Sequence, residues 1–100
     1  MSRILLLEDD ESLIDGLVYS LQKNEFEVSI VMSVKAAKNY LDSHSDIDLM
    51  LLDVTLPDGT GFQVCEYART IGNQVPIIFL TAADEEYKGW SPLPFQLLTT

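Results

Sequence analysis

Ile4-Leu5-Leu6-Leu7-Glu8-Asp9-Asp10 lies near the start of the chain, and Leu49-Met50-Leu51-Leu52-Asp53 repeats its form: a short apolar run that stops at acid. Unbroken apolar runs of this length read as strands buried on both faces, the pattern of a parallel sheet covered by helices. In an open parallel sheet the ligand crevice lies outside the carboxyl ends of the strands. If the two runs are neighbours, Glu8, Asp9 and Asp53 crowd that crevice with no basic residue beside them in sequence. Like charges so placed repel and are costly to desolvate. A hard divalent cation, which takes oxygen ligands, is the usual remedy.

Outward from these runs, strand and helix signals alternate. Asp10 is the cap of a first helix, in which Leu13, Ile14, Leu17, Val18 and Leu21 recur at helical spacing and Asn24 marks the stop. Phe26 to Val31 reads as a second strand, and Ser33 caps a helix carrying Val34, Ala37, Tyr40 and Leu41 on one face. After the third strand, Leu56-Pro57-Asp58-Gly59-Thr60-Gly61 has turn chemistry, with Pro to preset one dihedral and Gly to permit positive ones. A third helix runs from Gly61 to Ile71, and Ile77-Ile78-Phe79-Leu80 forms a fourth buried strand ending in Thr81-Ala82. This β-α-β-α-β-α-β order predicts right-handed crossovers and an α/β fold, a three-layer α/β/α sandwich. From Tyr87 to Phe95 a glycine and two prolines break any long helix, and the last fourteen residues give no secondary-structure signal.

Composition narrows the function. One hundred residues, 47% of them apolar, suit one small domain with a real core. A net charge of -10 and scattered cations (Arg3, Lys23, Lys35, Lys38, Arg69 and Lys88) argue against direct nucleic-acid binding and against an anionic membrane surface. No apolar run is long enough to span a bilayer or to serve as a signal peptide, so a cytoplasmic location is expected. Cys65, the single cysteine, reads as a buried apolar thiol, and His44 as a solvated residue of a polar turn.

Glu8-Asp9 after the first strand, Asp53 after the third, Leu56-Pro57-Asp58-Gly59 in the next loop and Thr81-Ala82 after the fourth together resemble the receiver domain of two-component response regulators. The resemblance covers residues 2 to 86 and implies a flavodoxin-like sheet of order 2-1-3-4. It sets out a receiver unit over residues 1–86 and an atypical tail over 87–100. It implies that Asp53 accepts a phosphoryl group from a sensor histidine kinase. It implies Mg²⁺ held by Asp9 and Asp53, by the Thr55 main-chain carbonyl and, mostly through water, by Glu8. Thr81 would donate its hydroxyl to the phosphoryl group, and phosphorylation would control dimerisation and an attached output domain, DNA-binding by the similarity of the LPDG loop. Each residue alone has a plainer reading: Glu8 and Asp9 as capping acids, Asp53 as a turn residue, Thr81 as a strand-end hydroxyl bonded to backbone. Capping does not call for acids at the ends of two separate buried strands, and this favours the joint reading.

The pattern breaks after residue 86. The family's fifth strand ends in a lysine followed by proline, whereas Leu93-Pro94-Phe95 has leucine there and falls short in spacing, with Lys88 the nearest cation. A fifth parallel strand and the last helices are therefore expected to be missing. The Ile77–Leu80 strand would be an apolar edge, covered by Trp90, Leu93, Phe95, Leu97 and Leu98 or paired with a second chain. Two rivals stand beside the receiver. A haloacid-dehalogenase-like phosphatase would want a second acid where Thr55 stands, and a pure interaction module would use the acidic face without phosphorylation.

Overall fold

Leu5, Leu6 and Leu7 are fully buried and Ile4 nearly so, and their alternation shows why the run carries no polar residue. Leu5 and Leu7 belong to one hydrophobic cluster, and Ile4 and Leu6 to the other, on the opposite face of the sheet. The computed structural model describes residues 2–82 and 95–99. In chain order the elements are β1 (Arg3–Leu7), α1 (Glu11–Lys23), β2 (Glu27–Val31), α2 (Val34–Ser43), β3 (Leu49–Asp53), β4 (Thr55–Leu56), β5 (Gly59–Thr60), α3 (Gly61–Thr70), β6 (Ile77–Ala82) and β7 (Phe95–Thr99). The sheet order is β2-β1-β3-β6-β7, and β2, β1, β3 and β6 run parallel. This is the expected 2-1-3-4 order, with β6 as the fourth long strand.

Helix α1 packs Ile14, Leu17, Val18 and Leu21 on one face of the sheet, against Ile4, Leu6, Leu51 and Leu80. Helices α2 and α3 bring Val34, Ala37, Leu41, Val64 and Ala68 to the other face, against Leu5, Leu7, Met50, Leu52 and Phe79. Each leucine buried this fully contributes about 2 kcal/mol of transfer free energy. The helix starts follow their caps: Asp10 accepts from the Leu13 amide, Ser33 from Ala36, and Thr60 forms a reciprocal capping box with Gln63. Asn24 ends α1, as its position suggests.

Two features differ from expectation. The edge beyond β6 is filled by β7 of the same chain, which runs antiparallel with Leu80 opposite Leu97 and Ala82 opposite Phe95. Phe95, Leu97 and Leu98 thus cover that edge from the same chain, as expected, but they do so as a hydrogen-bonded strand. Antiparallel pairing satisfies the edge amides without the long crossover that a parallel strand needs. Among the described residues there is no fifth parallel strand. Trp90, Leu93, Lys88 and the acidic run Asp84-Glu85-Glu86 lie outside the described residues. The second difference is the turn after β3, which is a small antiparallel hairpin of β4 and β5.

Gly61, the first residue of α3, sits where a Cβ would lie 2.1 Å from the main-chain oxygen of Asp53. The helix start and the end of β3 thus touch backbone to backbone, and the Gly61 amide donates to Val54 O at 2.9 Å. Gly61→Ala is expected to cost about 2 kcal/mol or more through this overpacking. A fall in the urea midpoint at unchanged m would register it, and an unchanged midpoint would refute the close contact.

Candidate functional site

The register of β1 on β3 builds the site. Leu7 is level with Leu52, so the next residue of each strand, Glu8 and Asp53, comes side by side at the carboxyl edge. The Glu8 amide donates to Val31 O at 3.1 Å, which extends the β1–β2 pairing by one residue and keeps Glu8 in line. Its carboxylate turns back over the start of α1, where Oε2 accepts from the amides of Asp9 at 3.0 Å and Asp10 at 3.2 Å. Asp10 itself serves as the cap, through its bond from the Leu13 amide at 3.2 Å. On the other strand, Asp53 Oδ1 accepts from the Val54 amide at 2.9 Å, which fixes the rotation of that carboxylate.

Glu8, Asp9 and Asp53 each present a carboxylate oxygen within 4.8 Å of the other two. Asp9 is exposed, Asp53 half-buried and Glu8 only 3% exposed. Burial is the main cause that pushes the Glu8 carboxyl up from 4.5 to about 7, and the neighbouring charge of Asp53 and a hydrogen bond with its carboxylate add to it. The Asp10 and Asp9 amides pull the other way. The ion pairs formed among the described residues, Arg3 with Glu27 and with Asp46, sit at the opposite end of β1. A buried acid beside a second carboxylate, with a third at the open rim, is a donor set of hard oxygens suited to a small divalent cation. The residues present therefore fit such an ion.

Thr55 is exposed at the start of β4, two residues past Asp53. Leu80 is level with Asp53 in the β3–β6 register, so Thr81 follows one residue beyond it at the same edge of the sheet. Other candidates lie elsewhere. His44 is exposed and stacked on Tyr40, with ring centroids 4.0 Å apart. Cys65 is half-buried against the α3 side of the core rather than fully enclosed. One residue that sequence reading treated only as part of a turn has a defined role here. The Asp58 carboxylate accepts from the amides of Val34 at 2.8 Å and Lys35 at 3.0 Å, bonds that hold its carboxyl below its ordinary range. Its partners are more than twenty positions upstream, so no local motif could have announced them.

Comparison with known proteins adds an independent line. The model of the response regulator receiver domain matches residues 4–89. The chain is 40% identical over 86 residues to the sensory transduction protein RegX3 of Mycobacterium tuberculosis, an alignment covering 86% of this chain and 37% of that protein. The chain thus spans little more than a third of the length of the curated relatives it matches. Among solved structures, the non-phosphorylated HemR receiver domain of Leptospira biflexa superposes with a TM-score of 0.77 at 34% identity, over 88% of this chain and 69% of that one. The response regulator TrrA of Thermotoga maritima, in complex with Mg²⁺-BeF, gives a TM-score of 0.77 at 28% identity, over 84% of this chain and 72% of that one.

The Glu8 environment carries a pH signature. A folded-state value of about 7 against an ordinary 4.5 means that the metal-free fold holds this proton more tightly than the unfolded chain does. Stability is therefore greatest below the unfolded value and declines as pH rises through about 7. Glu8→Gln is expected to flatten that decline and to stabilise the metal-free protein at about pH 8 by on the order of 2 kcal/mol, once water at the open rim is allowed for. Parallel melts of the two proteins across this range would test it, and equal slopes would rule out the strained carboxyl.

Proposed function

The chain belongs to the response regulator receiver family, and from that premise we propose that it accepts a phosphoryl group on Asp53 from a sensor histidine kinase in a Mg²⁺-dependent reaction. The observation that carries this reading is the convergence of Glu8, Asp9 and Asp53 within 4.8 Å at the carboxyl edge of the sheet. Proteins of this family are not turnover enzymes in the ordinary sense, so the phosphatase reading is set aside. The receiver unit is residues 1–86, with 87–100 as an atypical tail.

In this reading Asp9 and Asp53 supply carboxylate oxygens to the ion, Thr55 its main-chain carbonyl, and Glu8 acts mostly through water. When bound, the ion would offset the pocket's negative charge and the charge on the phosphoryl oxygens. The chain's own residues do the rest. A carboxylate oxygen of Asp53 forms the new bond to phosphorus as the bond from phosphorus to the donor imidazole nitrogen breaks. The bond from the Val54 amide restrains the Asp53 carboxylate before attack, and this lowers the entropic cost of reaching an in-line geometry. Glu8 must give up its proton for the ion to be held, so Mg²⁺ binding should release a proton and weaken as pH falls. Thr81, next after the residue level with Asp53, would donate its hydroxyl to the phosphoryl group.

The receiver is a soluble, cytoplasmic part of a longer regulator, in which phosphorylation reshapes the face next to β6. That change would control dimerisation and a DNA-binding output domain. The chain itself does not contact nucleic acid or membrane. Among the described residues no helix is long and apolar enough to cross a membrane.

Incubation with acetyl phosphate and Mg²⁺, followed by intact-mass measurement, should show the gain of one phosphoryl group. The gain should vanish in Asp53→Ala and on chelation of the ion. A mass unchanged in the parent protein, or a phosphoryl group retained by Asp53→Ala, would defeat the proposal.

A further inference from the structure

The first three backbone amides of α2 are each met by a side-chain oxygen, but from two different places. Ser33 Oγ takes the Ala36 amide at 3.0 Å, as a helix cap ordinarily does. The Val34 and Lys35 amides are taken instead by Oδ1 and Oδ2 of Asp58, 24 and 23 positions away in sequence. One carboxylate so spans two amides of a distant helix, a charge-assisted and geometrically specific attachment.

Asp58 stands in the turn between β4 and β5, the hairpin that follows Asp53 and pairs Thr55 with Thr60. The turn is pressed close to its surroundings. Gly59 has φ 154°, and a Cβ there would lie 2.1 Å from Gln63 Oε1 and 3.1 Å from Val34 Cγ2. Gln63 Oε1 in turn accepts from the Thr60 amide at 2.8 Å. The connector that receives Asp58 also holds the opposite wall of the pocket, because Val31 O takes the Glu8 amide at 3.1 Å. The Val31 carbonyl and the Val34 and Lys35 amides, close together in sequence, therefore hold the strand end that carries Glu8 and Asp9 and the hairpin that follows Asp53.

We propose that Asp58 is a positioning residue for the acidic pocket: by clamping the Thr55–Thr60 hairpin to the amides of Val34 and Lys35, it sets the Asp53 carboxylate and the Thr55 carbonyl against Glu8 and Asp9. The proposal rests on the reading of Asp53 as acceptor and of these groups as metal ligands. Outer partners that orient ligands typically matter by a factor of ten or more in metal affinity. Ser33 provides the control, since its hydroxyl caps the same helix end through the Ala36 amide.

The test uses the full chain and the variants Asp58→Ala, Asp58→Asn and Ser33→Ala. Calorimetric titration with Mg²⁺ alone gives affinity, and amide hydrogen exchange at Val54 and Gly61 in the metal-free protein reports on the hairpin root. Asp58→Ala is expected to weaken Mg²⁺ binding roughly tenfold and to speed exchange at both amides. Asp58→Asn, which retains a single carbonyl acceptor, should fall between; if Asp58→Ala does not fold, it carries the same comparison. Ser33→Ala should lower the melting temperature while leaving affinity and exchange within about twofold of the parent. An Asp58→Ala protein that loses stability but keeps parental affinity and exchange would overturn the clamp and reduce Asp58 to a helix cap. If the parent binds no Mg²⁺ and gains no phosphoryl group, the functional reading falls, and exchange alone decides the clamp: faster exchange upholds it, unchanged exchange overturns it.

Discussion

The pairing of Leu7 with Leu52 fixes what the rest of the molecule must accommodate. Because both strands are buried on both faces, their register cannot slip without moving leucines from one core cluster to the other. Acid placed immediately after each run is thereby forced into one crevice, and the fold holds two carboxyl groups together that would separate in water. Glu8 bears most of the strain. It is buried and next to Asp53, and in the metal-free protein a proton and two backbone amides keep it tolerable. A site of this kind costs stability and stores the electrostatic demand that a cation and a phosphoryl group can meet.

Around that crevice backbone contacts add to the side-chain packing of Leu7, Leu52 and Val54. Gly61 lets the start of α3 touch the Asp53 carbonyl, and the Gly61 amide closes onto Val54. The Asp58 bonds to the amides of α2 add a second attachment from the opposite direction. A loop held at both ends behaves as part of the scaffold, and this suits residues that must meet a ligand with little reorganisation. The far edge of the sheet is closed differently, by a strand that turns back antiparallel where the family pattern runs parallel.

Much of this was legible beforehand, and for identifiable reasons. The apolar runs at Ile4–Leu7 and Leu49–Leu52 announced buried parallel strands, and Asp10, Asn24 and Ser33 announced helix ends, because both signals are local and periodic. The convergence of Glu8, Asp9 and Asp53 could be anticipated as well, since strand ends in a parallel sheet share one edge. The edge strand at Phe95–Thr99 could not. Five residues with a proline just before them carry too weak a period to outweigh the expectation of a missing strand. Cys65 read as a buried apolar thiol because its neighbours are apolar, and it is half-buried against the core.

The amino-acid sequence by itself therefore determined the alternation of strands and helices and the identity of the three acids, because hydrophobic period and capping act over a few residues, while the sheet order came from the family resemblance. Only the tertiary structure decided how deeply Glu8 is buried and what Asp58 holds. Those outcomes depend on groups far apart in the chain, and a proton, an amide or a carbonyl finds its partner by distance in space.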